Sequence, residues 1–192
     1  MASQPKTRYT PEEYLALERS CEAKHEYYNG EIFAMGGACK WHVLIVTNLV
    51  YELQSQLKDG PCQVYSTDLR VSVAPTGLYT YPDVILLCDE PRFNDEQQDT
   101  LLNPGLIIEV LSESTKDYDR GGKFELYRTI DSFVEYLLIA QDRPHVEHHT
   151  RQPDGSWILH ETNNLENTIQ FKSVPCSLRL SEIYNKIDFS SP

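Results

Sequence analysis

The sequence has few cysteines, no paired cysteine motif and no long apolar run. Its five cysteines stand at positions 21, 39, 62, 88 and 176 without a CxxC pair, so we expect neither a disulfide framework nor a thiolate zinc site. Cys62 and Cys88 have the character of small apolar residues within strands. No stretch reaches the length of a membrane span, and the N-terminal MASQPKTRYTPEE lacks the apolar centre of a signal peptide. These absences predict a cytoplasmic protein.

Positive charge is also scarce. Against 29 aspartates and glutamates there are 17 lysines and arginines, which gives a formal net charge of −12. Because an acidic chain repels phosphate at long range, we expect DNA affinity to be weak and strongly salt-dependent, or targeting to need a partner protein. P-loop, GxGxxG and GxSxG motifs are missing too, so the sequence gives no support to a nucleotide-cofactor enzyme or a serine hydrolase.

The N-terminal part of the chain carries clear helix and hairpin signals. Thr10-Pro-Glu-Glu13 has the capping box of a helix that should end near Ser20. Asn29-Gly30 is the strongest short hairpin signal, here within residues 25–35. Apolar residues with helical spacing predict a helix over residues 40–58; they stand at positions 43, 46, 50, 53 and 57.

Strands dominate the rest of the chain. Apolar or alternating runs predict strands at 62–73, 79–88, 106–111, 134–140 and 168–171, a hairpin joining 144–150 to 157–161, and helices near 119–130 and 181–187. The interleaving predicts an α/β fold, in which a mixed central sheet is flanked by helices and hairpins are added near both termini. The length suits one domain, residues 1–192, and we expect its ordered core at residues 9–187.

One charged residue interrupts a strand that should be buried. LIIEVL has Glu109 in its middle, and buried carboxylates need a partner. Asp83 begins the preceding strand, so antiparallel pairing would place Asp83 beside Glu109, within about 5–8 Å on a shared face. Two carboxylates that close repel each other unless a proton or cation lies between them. Mg²⁺ typically takes one or two carboxylates and completes its shell with water and substrate phosphate.

A lysine follows at a suitable place. Thr115, Asp119, Lys123 and Tyr127 are spaced by four and share a face wherever this segment is helical. Lys123 could then reach back to the carboxylates, where an ammonium group positions an attacking water or stabilises charge on phosphate. Asp119 is expected to cap the helix or orient the lysine, and the Gly121-Gly122 pair permits close approach of backbone or ligand.

These motifs, together with TPEEYLAL, EYYNGEI and EYLLI, resemble the Uma-type endonuclease family of the PD-(D/E)xK superfamily, over residues 9–187. The resemblance implies a restriction-endonuclease-like fold and a Mg²⁺-dependent centre that cleaves DNA, with Mn²⁺ as a substitute. Asp83, Glu109 and the Val110 carbonyl become metal ligands. Leu111 occupies the usual lysine position, so Lys123 becomes its replacement from the following helix.

The resemblance also suggests supporting residues. Superfamily members often use a further acid from the N-terminal region, and Glu26 is preferred here over Glu52. His42 would assist or contact phosphate. Lys116 and Arg120, with Lys123 and Arg128, form a small basic patch for substrate binding. A homodimer is expected by analogy, since cutting both strands needs two centres.

Structural interpretations compete with each of these assignments. Asp83 suits a turn after proline, Glu109 and Lys123 suit a purely structural ion pair, and the whole chain suits a non-catalytic module that keeps a nuclease fold for nucleic-acid or protein binding. A zinc site is disfavoured because the adjacent histidines point to opposite strand faces; the histidines concerned are His145, His148, His149 and His160. Four tyrosines suit either base stacking or packing: Tyr27, Tyr28, Tyr79 and Tyr81.

Overall fold

Six strands form the central sheet of the computed structural model, which describes residues 8–190. Their spatial order is β11 (Trp157–Thr162), β10 (Val146–Arg151), β9 (Glu135–Ala140), β8 (Leu106–Leu111), β6 (Val84–Leu87) and β3 (Gln63–Ser66). β8 and β9 run parallel, whereas the other neighbours are antiparallel. Residues 1–7 and 191–192 lie outside the described range. Part of the N-terminal segment predicted to lack a signal peptide, and both ends of the predicted domain of residues 1–192, fall there.

A second, five-stranded sheet carries the N-terminal hairpin. Its order is β2 (Glu31–Ala34), β1 (His25–Tyr28), β5 (Leu78–Thr80), β4 (Arg70–Val73) and β7 (Thr100–Leu101). Asn29 and Gly30 close the hairpin with φ of 49° and 87°, as the turn requires. Near the C-terminus, β12 (Thr168–Gln170) pairs with β13 (Ser177–Arg179), a partner strand that the sequence pattern missed.

Two longer helices and several short ones accompany the sheets. They are α1 (Pro11–Glu18), α2 (Lys40–Leu57), α3 (Lys116–Tyr118), a π-helical turn (Asp119–Lys123), α4 (Phe124–Tyr127) and α5 (Leu180–Ile183). The capping box predicted for α1 is present, with Glu13 N–H donating to the Thr10 hydroxyl. Among residues 8–190, no helix has both the length and the apolar character needed to span a membrane.

The central sheet has an apolar layer on each face. Leu106, Ile108 and Val110 of β8 pack with α2 and α5 on one face. Ile107 and Leu111 belong to the opposite layer, which includes Val71 and Val73 of the second sheet and residues of α4. Since side chains alternate along a strand, Glu109 points into this second layer. The mixed sheet with flanking helices confirms the predicted α/β fold.

Two predicted long strands are each divided in two. Residues 62–73 turn at 67–69 and enter different sheets as β3 and β4, and residues 79–88 divide into β5 and β6 around Tyr81-Pro82-Asp83. Proline has no N–H to donate to a sheet ladder, which suits Pro82 to the point where the chain leaves one sheet for the other. Apolar residues stand on both sides of each turn, which is why each pair of strands was predicted as one.

Cys62 and Cys88 form a disulfide, which the sequence interpretation got wrong. The register of β3 and β6 pairs Gln63 with Leu87, so the next residue of each strand lies directly opposite the other. The bridge therefore joins the ends of neighbouring strands. Spacing along the chain did not reveal this pairing because the two cysteines are 26 residues apart.

Two helix predictions needed correction. The buried face of α2 consists of Ile45, Leu49, Leu53 and Leu57, whereas Val43 is 53% exposed. The helix predicted over 119–130 begins at Lys116, ends at Tyr127 and contains the π-helical turn. A π turn holds an extra residue, so a regular 3.6-residue period could not reproduce this segment.

Candidate active site

Asp83 and Glu109 lie side by side on adjacent antiparallel strands. The register pairs Val84 with Ile108, which places the two acidic residues opposite each other one step further along. The Asp83 backbone N–H is 3.4 Å from Glu109 Oε2. The Asp83 carboxylate also accepts a 2.7 Å hydrogen bond from the Val110 N–H. The antiparallel arrangement that the sequence suggested is therefore present.

Lys123 lies against three carboxylates. Its Nζ is 3.0 Å from Glu109 Oε1 and 3.4 Å from both Glu26 Oε1 and Asp119 Oδ1. The Tyr127 hydroxyl donates to Glu109 Oε1 at 3.0 Å. Lys123, Asp119 and Tyr127 thus converge as their four-residue spacing predicted. Thr115, the first member of that series, instead bonds to the Ser112 hydroxyl.

Burial dominates the electrostatics of this cluster. It raises the pKa of Glu109 to about 8, opposed by Lys123 and reinforced by Asp119 and Asp83. Burial alone would lower the pKa of Lys123, but the surrounding anionic groups, Glu109 foremost, hold it well above its ordinary range. Three acidic side chains thus surround one ammonium group, and their mutual repulsion is relieved by a proton or a cation.

The π-helical turn sets where the lysine stands. Asp119 and Lys123 are its first and last residues, and both are buried. Gly122 lies within it, and a Cβ added there would meet the Tyr118 ring at 3.2 Å. The glycine therefore allows the close approach that its sequence position suggested, although the neighbour is an aromatic ring of this chain. Gly121 has open space around it.

Glu26 reaches the site from the second sheet. The antiparallel register of β1 and β5 pairs Tyr27 with Tyr79, so Glu26 lies opposite Thr80. The Glu26 carboxylate accepts a hydrogen bond from the Thr80 hydroxyl. Thr80 is a site residue that the sequence analysis missed, since only the strand pairing reveals it. Glu52, the other candidate acid, lies on α2, where burial and Glu182 raise its pKa. The structure brings Glu26 into the cluster.

His42 contacts the cluster from α2. Its Nε2 is 2.9 Å from Asp83 Oδ1, and both side chains are largely buried. Asp83 is therefore held on one oxygen by an imidazole and on the other by the backbone of Val110. This second interaction uses the Val110 N–H; the role predicted for its carbonyl stays a prediction.

The predicted basic patch consists of cations that already have partners. Lys116 pairs with Glu113 at 2.8 Å, and Arg120 pairs with Glu147 at 2.7 Å. The Arg128 guanidinium lies 5.2 Å from the Phe124 ring centroid. Lys116 and Arg120 nevertheless line one groove, together with Arg143, beyond the end of β8.

The histidines of β10 point to opposite faces, as the strand geometry predicted. His148 is buried with Glu135 at 2.9 Å, whereas His149 packs on the Phe124 ring. His145 lies 3.4 Å from Glu147 and 3.5 Å from Glu161. Because Glu147 also pairs with Arg120, a cation at this place would compete with a guanidinium group.

Three of the four tyrosines considered for base stacking are interior. Tyr27 and Tyr79 form an aromatic cluster with Tyr14, and Tyr81 is 7% exposed. Packing therefore explains these three. Tyr28 is 37% exposed.

The mixed sheet flanked by helices defines a class of α/β protein that includes a solved nuclease-like structure. The fold of this chain matches the crystal structure of "a putative nuclease belonging to DUF820" from Anabaena variabilis ATCC 29413, with a TM-score of 0.71 over 95% of this chain and 98% of that one. At 18% identity, that likeness shows a shared fold.

The sequence comparisons then give the family. Residues 11–182 match Uma2, "Putative restriction endonuclease", and the chain belongs to this family. Uncharacterized protein slr1290 of Synechocystis sp. (strain ATCC 27184 / PCC 6803 / Kazusa) is 36% identical over 187 residues, which cover 97% of each chain. Uncharacterized protein sll1609 of the same organism is 38% identical over 162 residues, covering 84% of this chain and 92% of the relative. The resemblance inferred from the motifs is thus confirmed.

Proposed function

We propose that this protein is a Mg²⁺-dependent endonuclease that hydrolyses DNA phosphodiester bonds. Asp83, Glu109 and the Val110 carbonyl are its metal ligands, and Lys123 is its catalytic cation. The observation that carries the proposal is the meeting of Asp83 and Glu109 on adjacent strands, with the Lys123 ammonium 3.0 Å from Glu109. Membership of a family described as restriction endonucleases supports the same reaction class.

The donor set suits magnesium. Glu109, Glu26 and Asp119 surround one ammonium group, and Asp83 lies beside Glu109. This excess of carboxylate oxygen favours a hard divalent cation. Mg²⁺ commonly takes two carboxylates and keeps several waters, so Asp83 and Glu109 fit it, and Mn²⁺ is expected to substitute. When bound, the ion lowers the pKa of a coordinated water and neutralises charge developing on phosphate.

The chain's own residues hold these groups for reaction. His42 and the Val110 N–H fix Asp83, and the Tyr127 hydroxyl fixes Glu109. Lys123, anchored by its three carboxylates, directs positive charge toward the phosphate or its attacking water. That water forms a bond to phosphorus and releases a proton to solvent, as the bond to one sugar oxygen breaks and this oxygen takes up a proton from solvent.

Substrate binding is expected to be weak. The net charge of −12 repels DNA at long range. Lys116 and Arg120 offset this repulsion by contacting phosphate locally beside the site. A partner protein would then serve for targeting, and a homodimer would place two centres on a duplex. We infer that the protein works in the cytoplasm on these substrates.

Metal-dependent melting combined with plasmid cleavage tests the proposal. Mg²⁺ or Mn²⁺ should raise the melting temperature of the wild type, because a ligand of the native state stabilises it by mass action. Asp83→Asn and Glu109→Gln should lose both this shift and cleavage. Glu52→Gln, which changes an acid on α2, is the matched control and should keep both.

The same experiment separates a non-catalytic module from an enzyme. The burial of Lys123 among three carboxylates also suits a structural ion cluster. If folded wild type neither cleaves plasmid nor responds to metal, that structural role is correct and the nuclease proposal is wrong.

A further inference from the structure

Three large aromatic side chains are exposed around the carboxylate and lysine cluster. Tyr28, Phe33 and Tyr118 are 37%, 48% and 40% exposed, and we call them the aromatic rim. They come from the N-terminal hairpin and from the helix that leads to Lys123. Exposed aromatic residues grouped beside a site are uncommon enough to need an explanation.

Strand register places the two hairpin members next to Glu26. Phe33 on β2 is the direct cross-strand partner of Glu26 on β1. Tyr28 is also on β1, two residues after Glu26. All three side chains therefore lie on one face of the hairpin. Glu26 is also 3.4 Å from Lys123, so that face borders the proposed catalytic centre.

The third member lies on the helix that leads to Lys123. Tyr118 immediately precedes Asp119, whose carboxylate is 3.4 Å from Lys123. Its ring lies against Gly122, where any Cβ would come within 3.2 Å of it. Burial, then the charge on Glu26, raises the pKa of the Tyr118 hydroxyl, and Tyr28 acts in the same direction. Tyr118 therefore stands beside the cluster on the helix, as Phe33 and Tyr28 do on the hairpin.

Net charge makes the affinity of this protein for duplex DNA weak. The chain carries −12, and Lys116 and Arg120 already pair with Glu113 and Glu147. Stacking of bases on aromatic rings needs no net positive charge and tolerates any sequence, but it needs a base freed from its pair. In a duplex the base faces are covered, whereas the phosphate charge density is at its highest.

We propose that the aromatic rim stacks unpaired nucleobases, so that the preferred substrate is single-stranded or locally unpaired DNA. This inference rests on the proposed function for its choice of nucleic acid. Phe33 and Tyr28 receive bases on the hairpin side and Tyr118 on the helix side, and the intervening phosphodiester is then directed toward Asp83, Glu109 and Lys123.

Fluorescence anisotropy with three labelled oligonucleotides of equal length tests the rim. One is a base-bearing single strand, one is an abasic strand with the same phosphates, and one is a duplex. With wild type in EDTA, which prevents metal-dependent cleavage, the base-bearing strand should bind more tightly than both others. Each of Tyr28→Ala, Phe33→Ala and Tyr118→Ala should weaken its binding about fivefold or more, and leave abasic binding unchanged.

Two controls make the result specific. Tyr118→Phe keeps the ring and should bind like the wild type. Tyr51→Ala removes a tyrosine that is 69% exposed on α2 and should change nothing. Circular dichroism melts of every variant confirm that the chain is folded.

The outcomes distinguish the rim from the nuclease centre. Equal binding of abasic and base-bearing strands, or alanine variants that bind like the wild type, overturns the rim proposal even if plasmid is cleaved. Sedimentation that shows dimers lost in the alanine variants, with oligonucleotide binding unchanged, overturns it in favour of an interface between copies. Base-dependent binding without any cleavage supports the rim while the catalytic proposal fails.

Discussion

Among the described residues, Tyr127 is the only neutral side chain that donates a hydrogen bond to Glu109. The Tyr127 hydroxyl donates to Glu109 Oε1 at 3.0 Å, and Tyr127 is itself fully buried. Such a donor fixes the orientation of a carboxylate and the direction of its free lone pairs. Groups that orient metal ligands commonly affect metal affinity about 10- to 100-fold.

Tyr127→Phe is therefore expected to weaken Mg²⁺ binding and cleavage about 10- to 100-fold. It should also lower the free energy of unfolding by about 1–3 kcal/mol, because a buried carboxylate loses a donor. Calorimetric titration with Mn²⁺ and urea unfolding measure the two effects. Tyr136→Phe is the matched control, since Tyr136 is also fully buried but donates to the Asp119 backbone carbonyl. It should cost stability and leave metal affinity unchanged; an equal loss of affinity would contradict the role given to Tyr127.

Glu135 gives a second prediction, on pH. Burial would raise its pKa, but hydrogen bonds from His148, Ser173 and the Lys172 N–H outweigh burial and lower it below the ordinary value of 4.5. A carboxylate with a lowered folded-state pKa contributes stability that is complete above its unfolded pKa and is lost as pH falls through the folded pKa.

Glu135→Gln should consequently destabilise the protein at neutral pH, because its amide N–H groups face the donors that Glu135 accepts from. The difference from wild type should shrink as pH falls below about 4.5, measured by urea unfolding across the pH range. Glu31→Gln, an exposed change on β2, should show no such pH-dependent difference. A Glu135→Gln difference that stays constant with pH would refute the assignment.

At the scale of elements, the π-helical turn is the feature that decides where Lys123 stands. Its two adjacent glycines are not equivalent. Gly121 has no atom within 4 Å of an added Cβ, whereas the Cβ of residue 122 would meet the Tyr118 ring at 3.2 Å. Neither glycine has a positive φ among the described residues, so only the neighbouring space distinguishes them.

Gly121→Ala should raise the free energy of unfolding by about 0.5–1 kcal/mol, since alanine restricts the unfolded chain and favours a helix. Gly122→Ala should gain less or lose stability, because the Tyr118 ring must move to admit the methyl group. Thermal and urea unfolding of the two variants measure this contrast. Equal stabilisation by both would show that the ring is not held against Gly122.

Sequence reasoning succeeded where a residue's role depended on local pattern. The α1 capping box, the Asn29-Gly30 hairpin and strand β8 could all be predicted because near neighbours specify them. The strand breaks at 67–69 and at Tyr81-Pro82-Asp83 could not, since apolar residues stand on both sides of each break and only tertiary packing assigns the halves to different sheets.

The site divides in the same way. Asp83, Glu109 and Lys123 could be grouped from strand order and spacing. The register of β6 and β8 sets Asp83 opposite Glu109, and Glu109 contacts Lys123; their joint role at a site stays a prediction. Thr80, Tyr118 and the Cys62–Cys88 bridge depend on how separate elements meet. No local pattern marks such contacts, because each one is fixed by the register of a strand or by the extra residue of the π turn.

At the scale of the whole molecule, charge limits how this protein can bind a polyanion. Because a net charge of −12 repels phosphate at long range, the proposed phosphate contacts are the local cations of the groove beyond β8. Lys116, Arg120 and Arg143 line that groove. Each phosphate neutralised releases counterions, so the salt dependence of binding counts the cations that contribute.

Three such contacts predict a slope of log affinity against log salt of about −2 on single strands and about −3 on duplex DNA. Lys116→Gln should reduce the slope by about one unit, because it removes one phosphate contact. Lys58→Gln, at an exposed position after α2, should leave the slope unchanged. Anisotropy titrations over a salt series measure both variants against the wild type. A slope near zero, with tight binding at high salt, would mean that this groove does not contact phosphate. At high salt the release of counterions no longer favours association, so any binding that remains comes from non-ionic contacts.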